Sequence, residues 1–329
     1  MDVKRSRELY VKKVIKSIPS HIKPVDYLME ALSISRVSVY RRLKCLLPFS
    51  YDEMVILSAK LGFSVDDIMH TNINDERNIF SLQQYDEKDL QEIFLSALTD
   101  IYDNCKGQEK DNNKTAIISI NHLWLIYVSG YNHLLKFYYY KWHHQISFNS
   151  YSLIYPEIQL SPEIINMSDK IKEKMQLLTN TIFIIDKRVF FNTIEEIQYY
   201  YRRNIISDEE LKEIKNDLEG LVEYTKSHVL FGKNIKGKAR SFYLSSLNIY
   251  SNSVYVESDG YSQSFFNEYS LSPFRTTNIE TCMYHKKWLE SLKKYSILMT
   301  ASNEALQIEF FQKLKKYLND LIEDIDLVP

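Results

Sequence analysis

The chain has 329 residues, 45% apolar and 26% charged, a balance that excludes a disordered protein and allows a sizeable core and two or three domains. The net charge of −2 is unevenly spread: residues 1–51 carry eleven Lys and Arg against four acids, a net +7, which leaves −9 for the remainder. An acidic body disfavours indiscriminate phosphate binding by the whole chain, while a basic head supplies the counterion-release term that draws a protein to nucleic acid.

Seven glycines, against an average of about 7% of residues, imply few tight turns and much helix. Residues 4–17 read as a cationic amphipathic helix with Tyr10, Val11, Val14 and Ile15 on its apolar side. Pro24 suits the first turn of a second helix, where its missing N–H has no intrahelical partner. That helix presents Val25, Leu28, Met29 and Leu32 inward. Ser33 and Ile34 form a turn and Ser35 caps a third helix, whose buried side is Val39 and Leu43. Pro48 ends it. Ser50 and Glu53 have capping-box spacing for a fourth helix, and Ser64 and Asp67 repeat that spacing for a fifth through Met69.

Residues 1–70 thus form a first domain of five short helices, and residues 71–85 a polar linker. A helical region is expected over 86–160, with helix across 115–142. The apolar run 115–131 is broken by Asn121, His122 and Ser129, which suits a buried helix better than a membrane span. Residues 161–329 are expected to be an α+β domain. It has a helix near 162–180, two short strands around a turn in 181–191, a short helix capped by Thr193 and Glu196, and a well-patterned helix opened by Ser207 and Glu210. An antiparallel meander spans 241–270, with turns at 251–253 and 259–260, and Asn303 caps a final helix. The fold class is therefore mainly α with a smaller α+β part.

Cys45, Cys105 and Cys282 stand alone, with no CxxC pair, so neither a disulfide framework nor a zinc site is indicated. His122, His133, His143 and His144 lack HxH or HxxxH spacing, and no metal or cofactor is expected. Gly232, Gly237 and Lys238 miss the phosphate-loop pattern because Ala239 stands at its last position. No nucleophile or carboxylate constellation is legible, so the chain is not expected to be an enzyme. A charged N-terminus without an apolar core segment indicates the cytoplasm.

Residues 32–44, LSISRVSVYRRLK, resemble the turn and recognition helix of the helix-turn-helix superfamily. The following PFSYDEMVILSAKLGFSVDDI is similar to the last two helices of lambda-repressor-like (XRE/Cro-type) domains, with Leu61-Gly62 and Ser64 where that family has a Leu-Gly pair and a helix-opening serine. The likeness spans residues 24–69. Ser33 replaces the usual turn glycine and Met29 a usual small residue. The resemblance implies a bacterial transcriptional regulator whose third helix, residues 35–44, enters the major groove of double-stranded DNA. It implies base-edge positions at Ser35, Arg36, Val37 and Ser38, with Tyr40 and Arg41 next on the exposed side. Arg36 suits guanine, Val37 a thymine methyl, and Arg42, Lys44 and Lys23 phosphates. One short helix reads few base pairs, so a homodimer is expected, with the C-terminal region serving dimerisation, effector sensing or a protein partner. Two alternatives remain open: a scaffold whose helical head docks an acidic protein, and a recombinase-like DNA-processing protein, since ISRVSVYRRLK also resembles the DNA-binding tail of serine recombinases.

Overall fold

A computed structural model describes residues 3–18, 22–61, 63, 89–106, 115–146, 154–178, 180–258, 261–267, 271, 273–301 and 303–323. The chain divides into two compact units, Met1–Ile79 and Phe80–Pro329.

In the first unit the described helices are α1 (Val3–Ser17), α2 (Pro24–Leu32), α3 (Arg36–Leu43) and α4 (Tyr51–Leu61). Their ends follow local chemistry. Pro24 opens α2, and Ser33 closes it in the left-handed region at φ 54° and ψ 41°. The Ser38 amide donates to the Ser35 hydroxyl at 3.3 Å, capping α3. At the start of α4 the Glu53 amide donates to the Ser50 hydroxyl and the Ser50 amide to the Glu53 carboxylate, which completes the expected capping box.

Leu28, Val39 and Leu57, one from each of α2, α3 and α4, are fully buried against Tyr10 and Val14 of α1. Each such aliphatic burial stabilises by about 1.5–3 kcal/mol. Phe49 and Phe63 pack on the Tyr10 ring at 5.3 and 5.9 Å, although neither belongs to a helical stripe. Burial pushes the Tyr10 phenol up to about 12, and its hydroxyl donates to the Met54 carbonyl. Ile15 departs from expectation: it is exposed rather than buried. The fifth helix expected over 64–69 and the linker over 71–85 lie outside the described residues.

The second unit is built on a seven-stranded mixed sheet. Its elements in chain order are α5 (Leu90–Lys106), β1 (Thr115–Ile120), α6 (Leu125–Val128), α7 (Asn132–Ile146), a 3-10 turn (Tyr155–Glu157), α8 (Pro162–Leu177), β2 (Thr181–Ile185), α9 (Val189–Tyr201) and α10 (Asp208–Phe231). They continue as β3 (Arg240–Ser245), β4 (Asn252–Ser258), β5 (Tyr261–Asn267), β6 (Phe274–Thr276), α11 (Ile279–Lys294), β7 (Ser296–Leu298) and α12 (Glu304–Glu323). Strand order is β6-β5-β4-β1-β2-β3-β7. β1, β2 and β3 run parallel, with Ile118 opposite Phe183 and Phe183 opposite Phe242, and the remaining pairs are antiparallel. Alternate strand residues face opposite sides, as the pleat requires. Ile118, Phe183, Ile185 and Phe242 enter a large core with the helices before, between and after the parallel strands. Ile117, Ile184 and Tyr255 pack against Cys282, Leu289 and Leu292 of α11. The sheet is thus covered on both faces.

Several expectations are corrected here. Residues 115–120 are a central strand, not the start of a helix. A strand buried on both faces reads as an unbroken apolar run, which periodicity alone does not distinguish from a buried helix. In 181–191 only 181–185 is strand, because Asp186 turns the chain by accepting the Arg188 amide at 2.8 Å and α9 starts at Val189. Thr193, expected to open a helix, is buried inside one. α9 is apolar around much of its circumference, so its Val and Phe residues imitate a strand. The meander over 241–270 is half right: β4 and β5 pair antiparallel, whereas β3 pairs in parallel with β2. The sheet is therefore mixed rather than antiparallel, and β1 ties residues 86–160 into the same unit as 161–329. The turn at 259–260 lies outside the described residues. The caps at Ser207–Glu210 and Asn303 stand as expected.

Candidate nucleic-acid interface

α3 has two unlike sides. Val39 is buried at 1% exposure, and Leu43 packs against the same core. On the outer side Arg36, Val37, Tyr40, Arg41 and Lys44 are all exposed, Val37 at 70% and Tyr40 at 48%. These positions follow the i, i+1, i+4, i+5, i+8 rhythm of one helix face. Ser35 and Lys23 are exposed as well, Ser35 at the head of α3 and Lys23 at the head of α2. Arg41, Lys44 and Lys23 have no ion-pair partner among the described residues.

The fold brings acids to two of the five cations, Arg36 and Arg42, although the sequence around α3 holds little acid. Arg36 Nη2 lies 2.7 Å from Asp26 on α2, with both side chains more than half exposed. The hydrogen bond that Arg36 donates to Asp26, and then the Asp26 charge, raise the Arg36 guanidinium above its ordinary value. A pair this exposed orients the arginine more than it stabilises the fold.

Arg42 is different. Its Nε and Nη2 hold the two Glu53 oxygens at 2.9 and 2.6 Å, and Nη1 donates to the Ser38 carbonyl and hydroxyl at 3.3 and 3.1 Å. Both partners of the pair are only 11% and 14% exposed. Burial pushes the Glu53 carboxyl up, but the bonds from Arg42 and Ser50 outweigh it and hold the group below the usual carboxylate range. Glu53 thereby joins three jobs: it caps α4, neutralises Arg42 and locks α3 to α4. Arg42 and Ser38 are engaged within the protein, in contrast to their expected places among the DNA contacts. The capping box made Glu53 visible in the sequence, but its second partner comes from another helix and left no local signal.

Elsewhere, the histidines of the aromatic segment do not converge, and no group of three potential metal ligands occurs among the described residues. No described helix is long and apolar enough to cross a membrane. No protein-family model matches this chain, and no curated protein matches it significantly.

Proposed function

We propose that the chain is a sequence-specific DNA-binding regulator of transcription, acting in the cytoplasm through α3 in the major groove. The observation that carries this reading is the exposed face of α3: arginines at Arg36 and Arg41, an apolar contact at Val37 and a lysine at Lys44, on a helix anchored by a buried Val39. A short, rigid, cationic helix joined to its neighbour by a three-residue turn suits the groove in width and charge. In this reading Arg36 addresses guanine, Val37 a thymine methyl, Ser35 the adjoining backbone, and Lys23 and Lys44 phosphates. Tyr40 and Arg41 extend the contact along the groove. Arg42 acts as a positioning residue, holding α3 against α4.

A homodimer belongs to the reading, because two half-sites multiply the discrimination that one eight-residue helix supplies. Tyr284, Trp288 and Tyr295 form one exposed stripe on α11 and its C-terminal cap, an unusual concentration of aromatics at a surface and a fitting place for self-association.

The test is selection of duplexes from a random pool by the full chain, followed by a salt titration on the enriched sequence. We expect a defined motif and an affinity that falls steeply with salt. Absence of enrichment, or binding to acidic proteins with no salt-dependent affinity for duplex DNA, overturns the proposal in favour of a protein-docking head.

A further inference from the structure

Residues 230–239 join α10 to β3 at the end of the sheet where the parallel strands β2 and β3 begin. Gly232 ends α10 in the left-handed region, and Lys233 pairs with Ala239 across an isolated bridge. Inside that bridge Asn234 builds a turn. Its amide donates to the Lys238 carbonyl, and its own carbonyl accepts from the Gly237 amide. Its side-chain oxygen accepts from the Lys236 and Lys238 amides at 3.0 and 2.9 Å. Asn234 is itself buried, and its side-chain nitrogen donates to the Gln176 carbonyl near the end of α8. The loop is therefore a fixed protrusion: Asn234 anchors its base, and a Cβ placed on Gly237 would meet no atom within 4 Å.

What this protrusion presents is unusual. Phe231 is 70% exposed and Ile235 77%, and Leu230, just before Phe231, is exposed as well. A single exposed apolar residue is ordinary, whereas three within six positions of one short loop call for a partner. The surrounding charge has one sign. Residues 224–256 hold no Asp or Glu, and Lys226, Lys233, Lys236, Lys238 and Arg240 fall inside that run. Lys226 pairs with Glu223 at 3.8 Å and Arg240 is buried, but Lys233, Lys236 and Lys238 form no ion pair among the described residues. An apolar tip set among free lysines thus stands on a body whose residues 52–329 sum to −9.

We infer that this loop is a contact site for an anionic lipid surface, with Phe231 and Ile235 entering the headgroup boundary and the three lysines meeting lipid phosphates. A bilayer interface offers hydrocarbon and negative charge within one thin layer, and lysines keep their ammonium groups at that layer while their stems follow the apolar tip. Duplex DNA offers the charge but keeps its apolar surface stacked inside. A docked peptide needs a groove, and this surface is convex. Attachment through one loop is weak, so binding is reversible and falls with salt. The inference goes beyond DNA recognition and stands without it, since the loop lies in the second unit and uses no residue of α3.

The experiment is co-sedimentation of the full chain with vesicles of equal parts phosphatidylglycerol and phosphatidylcholine, with pure phosphatidylcholine as control. Binding is expected to the mixed vesicles alone. The double variant Phe231→Ser with Ile235→Ser is expected to weaken it at least tenfold, roughly the worth of one buried large apolar side chain. Lys236→Gln is expected to weaken it about fivefold, as for one lysine at an anionic surface, and decides the matter should the double variant fail to fold. Tyr250→Ser, an equally exposed aromatic at the opposite end of the parallel strands, is expected to leave binding unchanged. Absence of vesicle binding, or equal binding to pure phosphatidylcholine, overturns the inference. So does wild-type affinity in the folded loop variants, which places vesicle binding on the basic first unit. Loop-dependent binding of duplex DNA or polyglutamate in place of vesicles overturns it as well.

Discussion

The two units place their polar groups in opposite ways. Met1–Ile79 carries its cations outward on α3, with Arg41 and Lys44 in solvent, and buries one bidentate pair, Arg42–Glu53, at low exposure. Phe80–Pro329 turns polar groups inward: His228, Arg240 and His285 are all nearly fully buried. His285 sits between the hydroxyls of Ser253 and Ser264 at 2.9 Å each, and Ser253 is bonded in turn to Ser119. The contrast teaches that salt and pH act on different parts of the chain. Exposed charges respond to screening, because their fields run through water. Buried neutral histidines respond to protons, because charging them means desolvating an ion.

The largest expected effect is acid sensitivity centred on the second unit. Burial holds His285 down to about 4, and burial with Arg240 does the same to His228, against an ordinary 6.5. Each therefore takes up its proton first in the unfolded chain. Its contribution to stability is complete above about pH 6.5, falls as pH drops towards 4, and levels off below. A shift of this size corresponds to about 3 kcal/mol per histidine. Denaturant unfolding followed by hydrogen exchange between pH 7 and pH 4 measures it. Loss of protection in β1 to β3 as pH falls, with a smaller loss in α1 to α4 from protonation of Glu53, is the expected outcome, and an equal loss in both units erases the contrast.

The next effect tests the buried pair of the first unit. Glu53→Ala removes the capping box of α4 and leaves the largely buried Arg42 without its carboxylate, so a loss of about 3 kcal/mol is expected. Exchange protection of the α3 and α4 amides should fall while that of the second unit stays unchanged. Stability unaltered by this substitution means that Arg42 is free to leave Glu53, and its earlier reading as a phosphate contact then returns.

These two cases also mark how far the sequence could be read. Capping serines, the helix-opening proline and the amphipathic stripes were legible because each acts within about four residues of itself. Ser35, Ser50, Ser207 and Asn303 all cap where expected. The exposed face of α3 was legible for the same reason. What was missed depends on partners distant in the chain. Glu53 reaches Arg42 across eleven residues, and β1 reads as strand only once β2 and β4 flank it. Tyr127, His228 and Arg240 line one pocket beneath the parallel strands, yet they are spread over more than a hundred residues, and no spacing rule joins them.

A smaller and more specific effect concerns the outer face of α3. Arg36→Ala is expected to cost about 1–3 kcal/mol at a single base position and to relax preference there. Lys44→Ala should instead weaken binding evenly over all sequences and flatten the salt slope by about one. Fluorescence anisotropy on duplexes varied one position at a time separates the two patterns. Identical losses on every duplex for both variants leave α3 as a cationic surface without readout.

The smallest effect concerns the turn that aims α3. Ser33 occupies the left-handed region at φ 54°, a conformation that costs an L-residue about 1–2 kcal/mol and glycine almost nothing. Part of that gain is lost because glycine has more freedom in the unfolded chain, so Ser33→Gly should stabilise the first unit by about 0.5 kcal/mol. The second unit offers the reverse experiment at Gly130, whose φ is 75° and where an added Cβ overlaps the Lys172 side chain. Gly130→Ala should destabilise, since strain and overlap act together on a residue whose carbonyl also holds Lys172. The exposed turn thus tolerates a residue it does not favour, whereas the packed turn does not. Should Ser33→Gly lower the melting temperature of the first unit, the serine side chain itself would be holding the turn, and the angle between α2 and α3 would depend on it rather than on backbone geometry alone.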